Sequence, residues 1–381
     1  MSKGGHFLAE QPRKKNKPWV VAVAVILAVV LLLGALGAWF VVSKMNKINR
    51  AQRGDNQLSA DDIGKYLVED TTPTTEETTE PTTEATTAPT EETKPNYGKL
   101  GKIVNFLLIG QDARAGEESK NSDTVLLVSV NKETKKITMI SFLRDSYVVI
   151  PKVYDTYGNE HSGHTKLTLA YAMGYKWGGD LGAMEIMDKV IERNFGAVVD
   201  YNVEIDLEAF DAIINAVGYI TADLDEDEAA YMNEKFKDYP DRNFQVGENR
   251  LDGWAAEEYA RMRHSSAADN DYKRTARQRT VVSQVLERVK GMNVVQINAL
   301  VDELLDKVLT DMTNSDITTC ITELLPLLPE MTMDSIQCPN ADMDLYGELI
   351  DLFKDGSPEQ SIQRFTESKA KAIITAITED D

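Results

Sequence analysis

Cysteine and histidine are scarce in this sequence, which has two cysteines and four histidines in 381 residues. Cys320 and Cys338 can either form one disulfide or remain buried thiols, and the sequence leaves both alternatives open. Neither cysteine has a histidine nearby, and the histidines are too scattered for a zinc motif of known spacing. These absences argue against a zinc site and against a cysteine nucleophile.

Positive charge is also in short supply. The chain has 41 lysines and arginines against 62 acidic residues, a formal net charge of -21, which argues against nucleic acid as a partner. One short span, residues 259–279, departs from this balance and contains Arg261, Arg263, Lys273, Arg274, Arg277 and Arg279. Such a run is either a solvated helix face or a pocket for a small anionic group.

Charged residues are absent from residues 19–42, WVVAVAVILAVVLLLGALGAWFVV. About 24 residues at 1.5 Å each give roughly 36 Å, enough to cross a bilayer, whereas a cleaved signal peptide has a shorter apolar run. The segment therefore predicts a transmembrane helix. Basic residues flank both ends, with a slight preference for an internal N-terminus, so residues 1–18 are expected to form a cytoplasmic tail.

Aromatic and large aliphatic residues are missing from residues 70–96, a Thr, Pro and Glu repeat. Such a segment cannot bury enough apolar surface to fold, and as extended chain it reaches on the order of 80 Å. We predict a disordered extracellular linker over residues 43–97. It would let a globular domain reach from the membrane surface into a surrounding wall.

Apolar runs at residues 104–110, 124–130 and 137–143 predict three central strands. Residues 181–195 and 207–217 have helical spacing, and Gly218 follows the second as a predicted C-cap. The expected fold class is α/β, an α/β/α sandwich with helices on both faces of a central sheet. Residues 356–381 are expected to form a C-terminal helix starting near Ser357, Pro358 and Gln360.

Charged residues stand at the ends of the three predicted strands: Asp112 and Arg114 after the first, Asp123 before the second, and Arg144 and Asp145 after the third. These groups converge at one sheet edge if the first and third strands are parallel neighbours or if the second strand forms a hairpin. A pair of carboxylates with few other ligands suits Mg²⁺, with Mn²⁺ left open because both ions accept oxygen ligands.

Two further helices are predicted around the basic span. Residues 251–263 form one, with Arg261 and Arg263 at its end, and residues 271–289 form the other. In the second, Arg274, Arg277 and Gln278 are spaced to share one face. Arginine presents paired donors that match phosphate oxygens, so a diphosphate is the expected ligand.

The motifs NFLLIGQDAR, SDTVLLVSVNKETKKITMISFLRDSYVVIP, LDGWAAEEYARMRH and DYKRTARQR occur in an order that resembles the LytR-CpsA-Psr domain of bacterial cell-wall assembly. The resemblance extends from about residue 99 to the early 300s, within an expected catalytic domain at residues 98–355. It implies a phosphotransferase of the cell membrane. Such an enzyme moves a teichoic acid, capsular or other wall polymer from an undecaprenyl diphosphate carrier to peptidoglycan.

The resemblance also implies roles for individual residues. Asp112 and Asp123 would hold Mg²⁺, and Asp123, Arg144, Arg261 and Arg263 would be catalytic. The diphosphate would be bound by Arg114, Arg144, Arg261, Arg263, Arg274, Arg277 and Gln278. An apolar cavity for the polyprenyl tail is also implied.

This chain departs from the family pattern at several positions. Leu143 replaces a proline, Asn121 replaces an arginine, and Thr168 and Leu169 replace an Asn-His pair. These changes bear on substrate choice more than on the chemistry. A lipid-diphosphate hydrolase and a non-catalytic envelope protein that binds lipid or controls signalling remain the alternatives.

Two acidic features are open at this stage. Asp145 is either the base that deprotonates the acceptor or a partner for a neighbouring arginine. The acidic run at residues 223–228 lacks the glycine and closing glutamate of an EF-hand loop, so we expect solvated surface there.

Overall fold

A computed structural model describes residues 48–54, 59, 65–69, 100–111, 121–154, 157–262, 270–304, 306–353 and 358–379. The predicted membrane segment, residues 19–42, lies outside these ranges. Within them, none of the helices combines the length and apolar character needed to cross a bilayer.

The strands, numbered along the chain, are β1 (Asn49–Arg50), β2 (Val68–Glu69), β3 (Ile103–Gln111), β4 (Ser122–Asn131), β5 (Lys136–Phe142), β6 (Tyr147–Tyr154), β7 (Glu160–Lys166), β8 (Tyr201–Ile205), β9 (Ile220–Leu224), β10 (Gly247–Leu251), β11 (Leu309–Thr310), β12 (Thr332–Cys338), β13 (Tyr346–Ile350) and β14 (Gln360–Arg364). The helices are α1 (Leu167–Phe195), α2 (Leu207–Ala216), α3 (Glu226–Lys235), α4 (Gly253–Arg261), α5 (Asn270–Lys290), α6 (Val294–Leu304), α7 (Asn314–Leu324) and α8 (Glu367–Thr378).

The described residues form a central seven-stranded sheet in the order β1-β11-β8-β3-β4-β5-β12. Its middle is an antiparallel meander of β3, β4 and β5, while β8 and β12 lie parallel to β3 and β5 on either side. The three strands predicted from apolar runs are these meander strands. The fold is mixed α/β, as expected.

Alternate residues of β4 pack on opposite faces of the sheet because successive side chains of a strand point to opposite sides. Val125 and Leu127 pack with α1 and α8, whereas Leu126 and Val128 pack in a separate core with Val282 of α5. Helices therefore cover both faces of the meander, and a strand buried on both sides is apolar at nearly every position.

A second core lies beside the sheet and positions the helices of the site. It combines β9 and β10, which pair antiparallel, with α3, α4 and the middle of α5. Its apolar centre includes Phe236, Tyr259 and Val281. This unit holds α4 and α5 against the ends of the meander strands.

Close backbone contact shapes α1, which is interrupted at Gly178 and Gly179. The segments on either side meet at Gly174 and Gly182, where a Cβ on Gly174 would lie 2.7 Å from the Gly182 carbonyl oxygen. Only glycine permits this approach. Gly174→Ala is expected to lower the free energy of unfolding by about 1–3 kcal/mol, the usual cost of overpacking, measured by urea denaturation.

The matched control is Gly347→Ala on exposed β13, where the nearest atom to an added Cβ is 3.6 Å away. It should change the unfolding free energy by less than about 0.5 kcal/mol. Equal effects of the two substitutions would contradict the close contact within α1.

The predicted linker and the predicted C-terminal helix both need correction. Residues inside the 43–97 range join the fold, since β1 pairs with β11 and β2 with β7, and Ala51 and Leu67 are buried. Their short apolar segments were overlooked beside the Thr-rich repeat. The helix expected from Ser357 was wrong in its start: Gln360–Arg364 pairs with β13 as a strand, and α8 begins at Glu367.

The two cysteines remain free thiols rather than a disulfide. Cys338 is buried at the end of β12 with its sulfur 3.6 Å from the Met343 sulfur. Burial raises the pKa of the Cys320 thiol to about 12, so neither a thiolate nucleophile nor a metal ligand is favoured there.

Candidate active site

The register of the meander brings the polar ends of its strands together. Gly110 lies opposite Thr124, a bulge follows, and Gln111 lies opposite Ser122. Val125 pairs with Phe142, so the chain that precedes β4 and the chain that follows β5 leave the sheet side by side. The hairpin alternative is therefore the correct one, and the first and third strands are not neighbours.

Asp123 and Arg144 meet at this edge. The Arg144 guanidinium donates to the Asp123 carboxylate, with about a fifth of each side chain exposed (24% and 21%). The backbone around Arg144 is fixed, because its carbonyl accepts from Thr168 N at 2.9 Å and Ser146 N donates to the Leu143 carbonyl at 3.0 Å. The ion pair is thus held in a defined, partly exposed position.

Asp145 lies in a chain of alternating charges. Its carboxylate accepts from Lys166 Nζ at 2.8 Å and lies 3.8 Å from the Arg144 Nε. Asp145 therefore pairs with neighbouring cations, which was one of the two alternatives, and its role as the base that deprotonates the acceptor stays a prediction. Lys166 ends β7 and Leu167 begins α1, so these ion pairs connect this edge of the central sheet to the smaller sheet of β2, β7 and β6.

A cavity of about 500 Å³ opens beside Asp123, between the meander and the second core. Its lining comes from the ends of β3, β4 and β8 and from α2 to α5: Leu108, Ile109, Gly110, Gln111, Asp123, Thr124, Leu126, Ile205, Asp206, Leu207, Phe210, Tyr231, Lys235, Glu257, Glu258, Ala260, Arg261, Arg274, Gln278 and Val282. The elements are distant in sequence, so the tertiary fold assembles this cavity.

One stripe of α5 faces the cavity and changes character along the helix. Arg274, Gln278 and Val282 recur every four residues, the spacing of a single helix face, and all three line the wall. Leu126 of β4 and Phe210 of α2 line the cavity as well. The wall thus combines a cationic end on α5 with apolar side chains further along the helix, over about 12 Å from Arg274 to Val282.

Ion pairs hold four more of the charged side chains that line the cavity. Arg261 donates to Glu257 at 2.7 Å one turn earlier in α4, and Lys235 of α3 lies 3.2 Å from Glu258. The hydrogen bond to Glu258 raises the pKa of Lys235. Lys235, Glu257 and Glu258 were not among the predicted site residues, although the four-residue spacing of Glu257 and Arg261 is a signal visible in the sequence.

Arg277 does not line the cavity, contrary to the helical-face argument. Its side chain is 3% exposed and donates from Nε to Glu228 at 2.7 Å and from a terminal nitrogen to the Met262 carbonyl at 2.7 Å. Arg277 therefore joins α5 to the first turn of α3 and to the end of α4. Glu228, expected to be solvated, is instead 8% exposed and completes a capping box with Asp225.

The basic span is thus divided among several tasks. Arg261 and Arg274 face the cavity, Arg277 is structural, and Lys273 lies 3.7 Å from Asp225 at the surface. Burial lowers the pKa of Arg279. Neither a solvated face nor a single anion pocket describes the whole run.

Asp112, Arg114 and Arg263 lie outside the described residues, so their predicted roles stay predictions. Gln111, the last residue of β3, lines the cavity and directly precedes Asp112.

The donor chemistry at Asp123 fits a hard cation. Its carboxylate lies in the cavity wall and supplies oxygen, the ligand type that Mg²⁺ prefers. The described residues, which do not include Asp112, contain no group of three or more side chains that could hold a metal ion together. Mg²⁺ often keeps several waters and binds through only one or two carboxylates, so the Asp123 carboxylate is compatible with such an ion.

A family model matches residues 66–365, which is more than half of the chain, and its description is the LytR_cpsA_psr family. The chain belongs to the LytR_cpsA_psr family. The match begins at Tyr66, next to Leu67 and β2, and ends at Phe365 after β14. It therefore includes the cavity, strand β2 from the predicted linker and strand β14 from the predicted C-terminal helix.

Two named proteins have sequences similar to this chain. A protein of Oceanobacillus iheyensis named polyisoprenyl-teichoic acid--peptidoglycan teichoic acid transferase TagU is 27% identical over 81% of this chain and 82% of its own length. Biofilm regulatory protein A of Streptococcus mutans is 32% identical over 51% of this chain. That match spans 46% of the relative, so the chain matches about half the length of that protein.

Solved structures share the fold. Bacillus subtilis TagT superimposes with a TM-score of 0.53 at 23% identity, covering 75% of this chain and 92% of that one. Protein gbs0355 of Streptococcus agalactiae gives a TM-score of 0.56 at 27% identity, covering 72% of this chain and 86% of the other. The architecture of the LytR_cpsA_psr family member described here is thus one already seen in crystals.

Proposed function

We propose that this protein is a membrane-anchored phosphotransferase that moves a wall glycopolymer from a polyprenyl diphosphate carrier to peptidoglycan. The observation that carries the proposal is the combination of charge and apolar surface along one cavity. Arg261, Arg274 and Asp123 supply charged groups, and Leu126, Phe210 and Val282 supply apolar wall. A ligand with a diphosphate head and a hydrocarbon tail matches both.

The proposed donor would place its diphosphate beside the arginines. Arg274 is suited to this task because its position is fixed by burial, with 4% of the residue exposed, and its guanidinium offers paired donors to phosphate oxygens. Arg261 would add a second cation from α4. Arg144, held by Asp123, would bring a third from the sheet edge.

In the proposed reaction, an acceptor oxygen would replace polyprenyl phosphate on the phosphorus that carries the glycopolymer. The acceptor hydroxyl would attack the phosphorus that carries the glycopolymer, forming a new oxygen to phosphorus bond as the bridging bond of the diphosphate breaks. Polyprenyl monophosphate would leave with the electron pair, and the proton of the hydroxyl would pass to a base. The arginines would stabilise the negative charge that develops on the transferred and leaving oxygens.

Mg²⁺ held by Asp123 and Asp112 would neutralise diphosphate charge and polarise the phosphorus under attack. Asp123 would also keep Arg144 oriented, since the two are already paired. Two aspartates, Asp123 within the described residues and Asp112 outside them, support either Mg²⁺ or Mn²⁺ as the metal.

The proposed anchor is the predicted span at residues 19–42, with a cytoplasmic tail of residues 1–18 and the catalytic domain outside the cell. The charge-free length of that segment supports this arrangement. The name of the Oceanobacillus relative supports teichoic acid and peptidoglycan as substrate classes.

Product analysis tests the proposal. The full-length protein in detergent would receive a polyprenyl diphosphate-linked teichoic acid, peptidoglycan and Mg²⁺. We expect polymer attached to peptidoglycan through a phosphodiester, with release of polyprenyl monophosphate. Chelation of the metal should slow the transfer roughly 100-fold, because a bound cation contributes several kcal/mol to charge stabilisation.

The control omits peptidoglycan and keeps the donor. Release of free sugar phosphate at the same rate with and without the acceptor would contradict the transferase and indicate a hydrolase. Tight donor binding with no product in either sample would instead indicate the non-catalytic alternative.

A further inference from the structure

Two arginines from different elements stack on one tyrosine beside the second core. The guanidinium carbon of Arg288 in α5 lies 3.8 Å from the centre of the Tyr219 ring, and that of Arg250 in β10 lies 4.6 Å from it. Attraction between each cation and the ring favours these contacts, but the arrangement also holds two like charges close together. We call Tyr219, Arg250 and Arg288 the arginine stack.

The arginine stack is fixed where the β9–β10 hairpin meets α5. Thr221 lies opposite Arg250 in the hairpin, and its hydroxyl donates to the Gln284 side chain at 2.7 Å, one turn before Arg288. Tyr219 and Arg288 are partly buried, and Arg250 is exposed. The arginine stack is therefore built on regular elements and reaches the protein surface.

Neither arginine of the stack forms an ion pair with any residue that the structure describes. A neighbouring cation behaves differently, because Lys290 pairs with Glu287 at 3.0 Å. The acidic residues Asp223 and Glu248 face each other two positions further along the hairpin. In a protein with a net charge of -21, two adjacent guanidinium groups without a carboxylate partner indicate a site for an external anion. Their paired donors match phosphate oxygens.

Helix α5 relates the arginine stack to the cavity. Arg274 stands at the cationic end of the cavity and Val282 at its apolar end, whereas Arg288 follows Val282 after about 9 Å of helix. Trp254, which is 37% exposed, belongs to the first turn of α4 and lies about 10 Å along that helix from Arg261. An anion site and an exposed indole thus both lie away from the cationic end.

We propose that the arginine stack binds phosphate groups of anionic phospholipids and docks the domain on the bilayer, with the apolar end of the cavity towards the membrane. The inference rests on the proposed function, in which a polyprenyl tail comes from the bilayer and occupies the apolar part of the cavity. The glycopolymer is attached to the diphosphate and so belongs at the cationic end, away from the stack. The indole of Trp254 suits the interface between membrane and water.

Fluorescence quenching in lipid nanodiscs tests the proposal. The full-length protein would be placed in discs of phosphatidylglycerol and phosphatidylcholine that contain a spin-labelled phospholipid as quencher. One sample carries a fluorophore at Glu287→Cys, next to the stack, and another at Leu349→Cys on β13, whose partner strand contacts Tyr272 at the other end of α5. The unsubstituted protein, with Cys320 and Cys338, gives the background label.

We expect quenching at position 287 to be well above quenching at position 349, because only the first label would lie against the bilayer. Equal quenching at the two positions would overturn the proposal.

The arginines themselves are tested in the Glu287→Cys background. Arg250→Gln and Arg288→Gln should each shift the equilibrium between docked and undocked domain about fivefold towards the undocked state, the usual contribution of one arginine near an anionic bilayer. The double variant should shift it about 25-fold. Quenching that is unchanged in the double variant would rule out the arginine stack as the docking site.

Arg364→Gln is the matched control. Arg364 also stacks on a tyrosine, with its guanidinium carbon 4.7 Å from the centre of the Tyr147 ring, but it is paired with Glu348 at 2.5 Å. The substitution removes one positive charge elsewhere and should leave quenching at position 287 unchanged. A loss equal to that of Arg288→Gln would show that net charge alone drives docking and would contradict a site at the stack.

Two further samples identify the source of the phosphate. Discs of phosphatidylcholine alone should lose most of the quenching, whereas glycerol phosphate added at constant ionic strength should leave it intact. Release by glycerol phosphate would show that a soluble anion takes the stack and would overturn the bilayer as its partner. The readout uses neither donor nor acceptor, so docking without any transfer product would support this inference while the proposed function fails.

Discussion

Replacing Asp123 with asparagine is expected to slow glycopolymer transfer by about 1,000-fold, because the change removes a proposed metal ligand and the charge that orients Arg144. The substitution keeps the size of the side chain, so the cavity wall stays intact. The measurement is the rate of polymer attachment to peptidoglycan at saturating donor and Mg²⁺. Circular dichroism of the variant checks that the fold is retained.

The fate of Arg144 in that variant makes the result specific. Asparagine no longer balances the positive charge of Arg144. It still accepts a hydrogen bond from the Arg144 guanidinium, so the affinity for the polyprenyl diphosphate donor should change less than the transfer rate. A loss confined to the chemical step is the pattern of a group that acts mainly in the transition state.

Asp334→Asn is the matched control for this experiment. Asp334 pairs with Lys136 at 3.1 Å in an exposed position on β12, so the same chemical change occurs away from the cavity. Its transfer rate should equal that of the unmodified protein. Transfer by Asp123→Asn at more than half the normal rate would rule out this edge as the reacting centre.

Arg277→Met is expected to destabilise the protein by about 3–5 kcal/mol, the cost of leaving one member of a buried ion pair unpaired. Glu228 would keep its charge at 8% exposure without its guanidinium partner. The Met262 carbonyl would lose its donor too. Urea denaturation monitored by fluorescence gives the free energy of unfolding.

The double variant Arg277→Met with Glu228→Gln should recover most of this loss, since no isolated charge remains. Lys273→Met is the control, because Lys273 and Asp225 form an exposed pair at 3.7 Å whose removal should cost less than about 0.5 kcal/mol. Normal stability of Arg277→Met together with lost donor binding would instead support the diphosphate role predicted from the sequence.

The central sheet could be predicted from sequence because its strands carry a signal that depends on local chemistry alone. Strands β3, β4 and β5 are apolar on both faces, and each is bounded by polar or turn residues. The convergence of Asp123 and Arg144 could also be predicted, because a hairpin register determines which strand ends meet. The pairing of β8 and β12 with this meander could not, since long-range partners leave no local pattern.

The helical part of the site was harder to predict. Spacing placed Arg274, Arg277 and Gln278 on one side of α5, but a helix face about 100° wide can be shared between a cavity and a packing partner. Glu228 decides that division, and its burial depends on the docking of α3. The acidic run gave no hint that one of its members has an arginine partner 49 residues later.

The errors in the predicted C-terminal helix and in the predicted linker have a similar origin. Ser357 and Pro358 resemble a helix start, yet β13 offers an antiparallel partner to the residues that follow. Edge pairing outweighed a local capping pattern. The early strands β1 and β2 are two residues each, too short for any periodicity to be visible.

The meander has a consequence for the order in which this site is built. Asp123 and Arg144 are 21 residues apart, Asp123 in β4 and Arg144 just after the adjacent strand β5, so loop closure between them carries a small entropic cost. Arg274 comes from α5, more than 100 residues further along the chain. A nascent chain can therefore complete the sheet edge of the proposed catalytic centre before the opposite cationic wall has been synthesised.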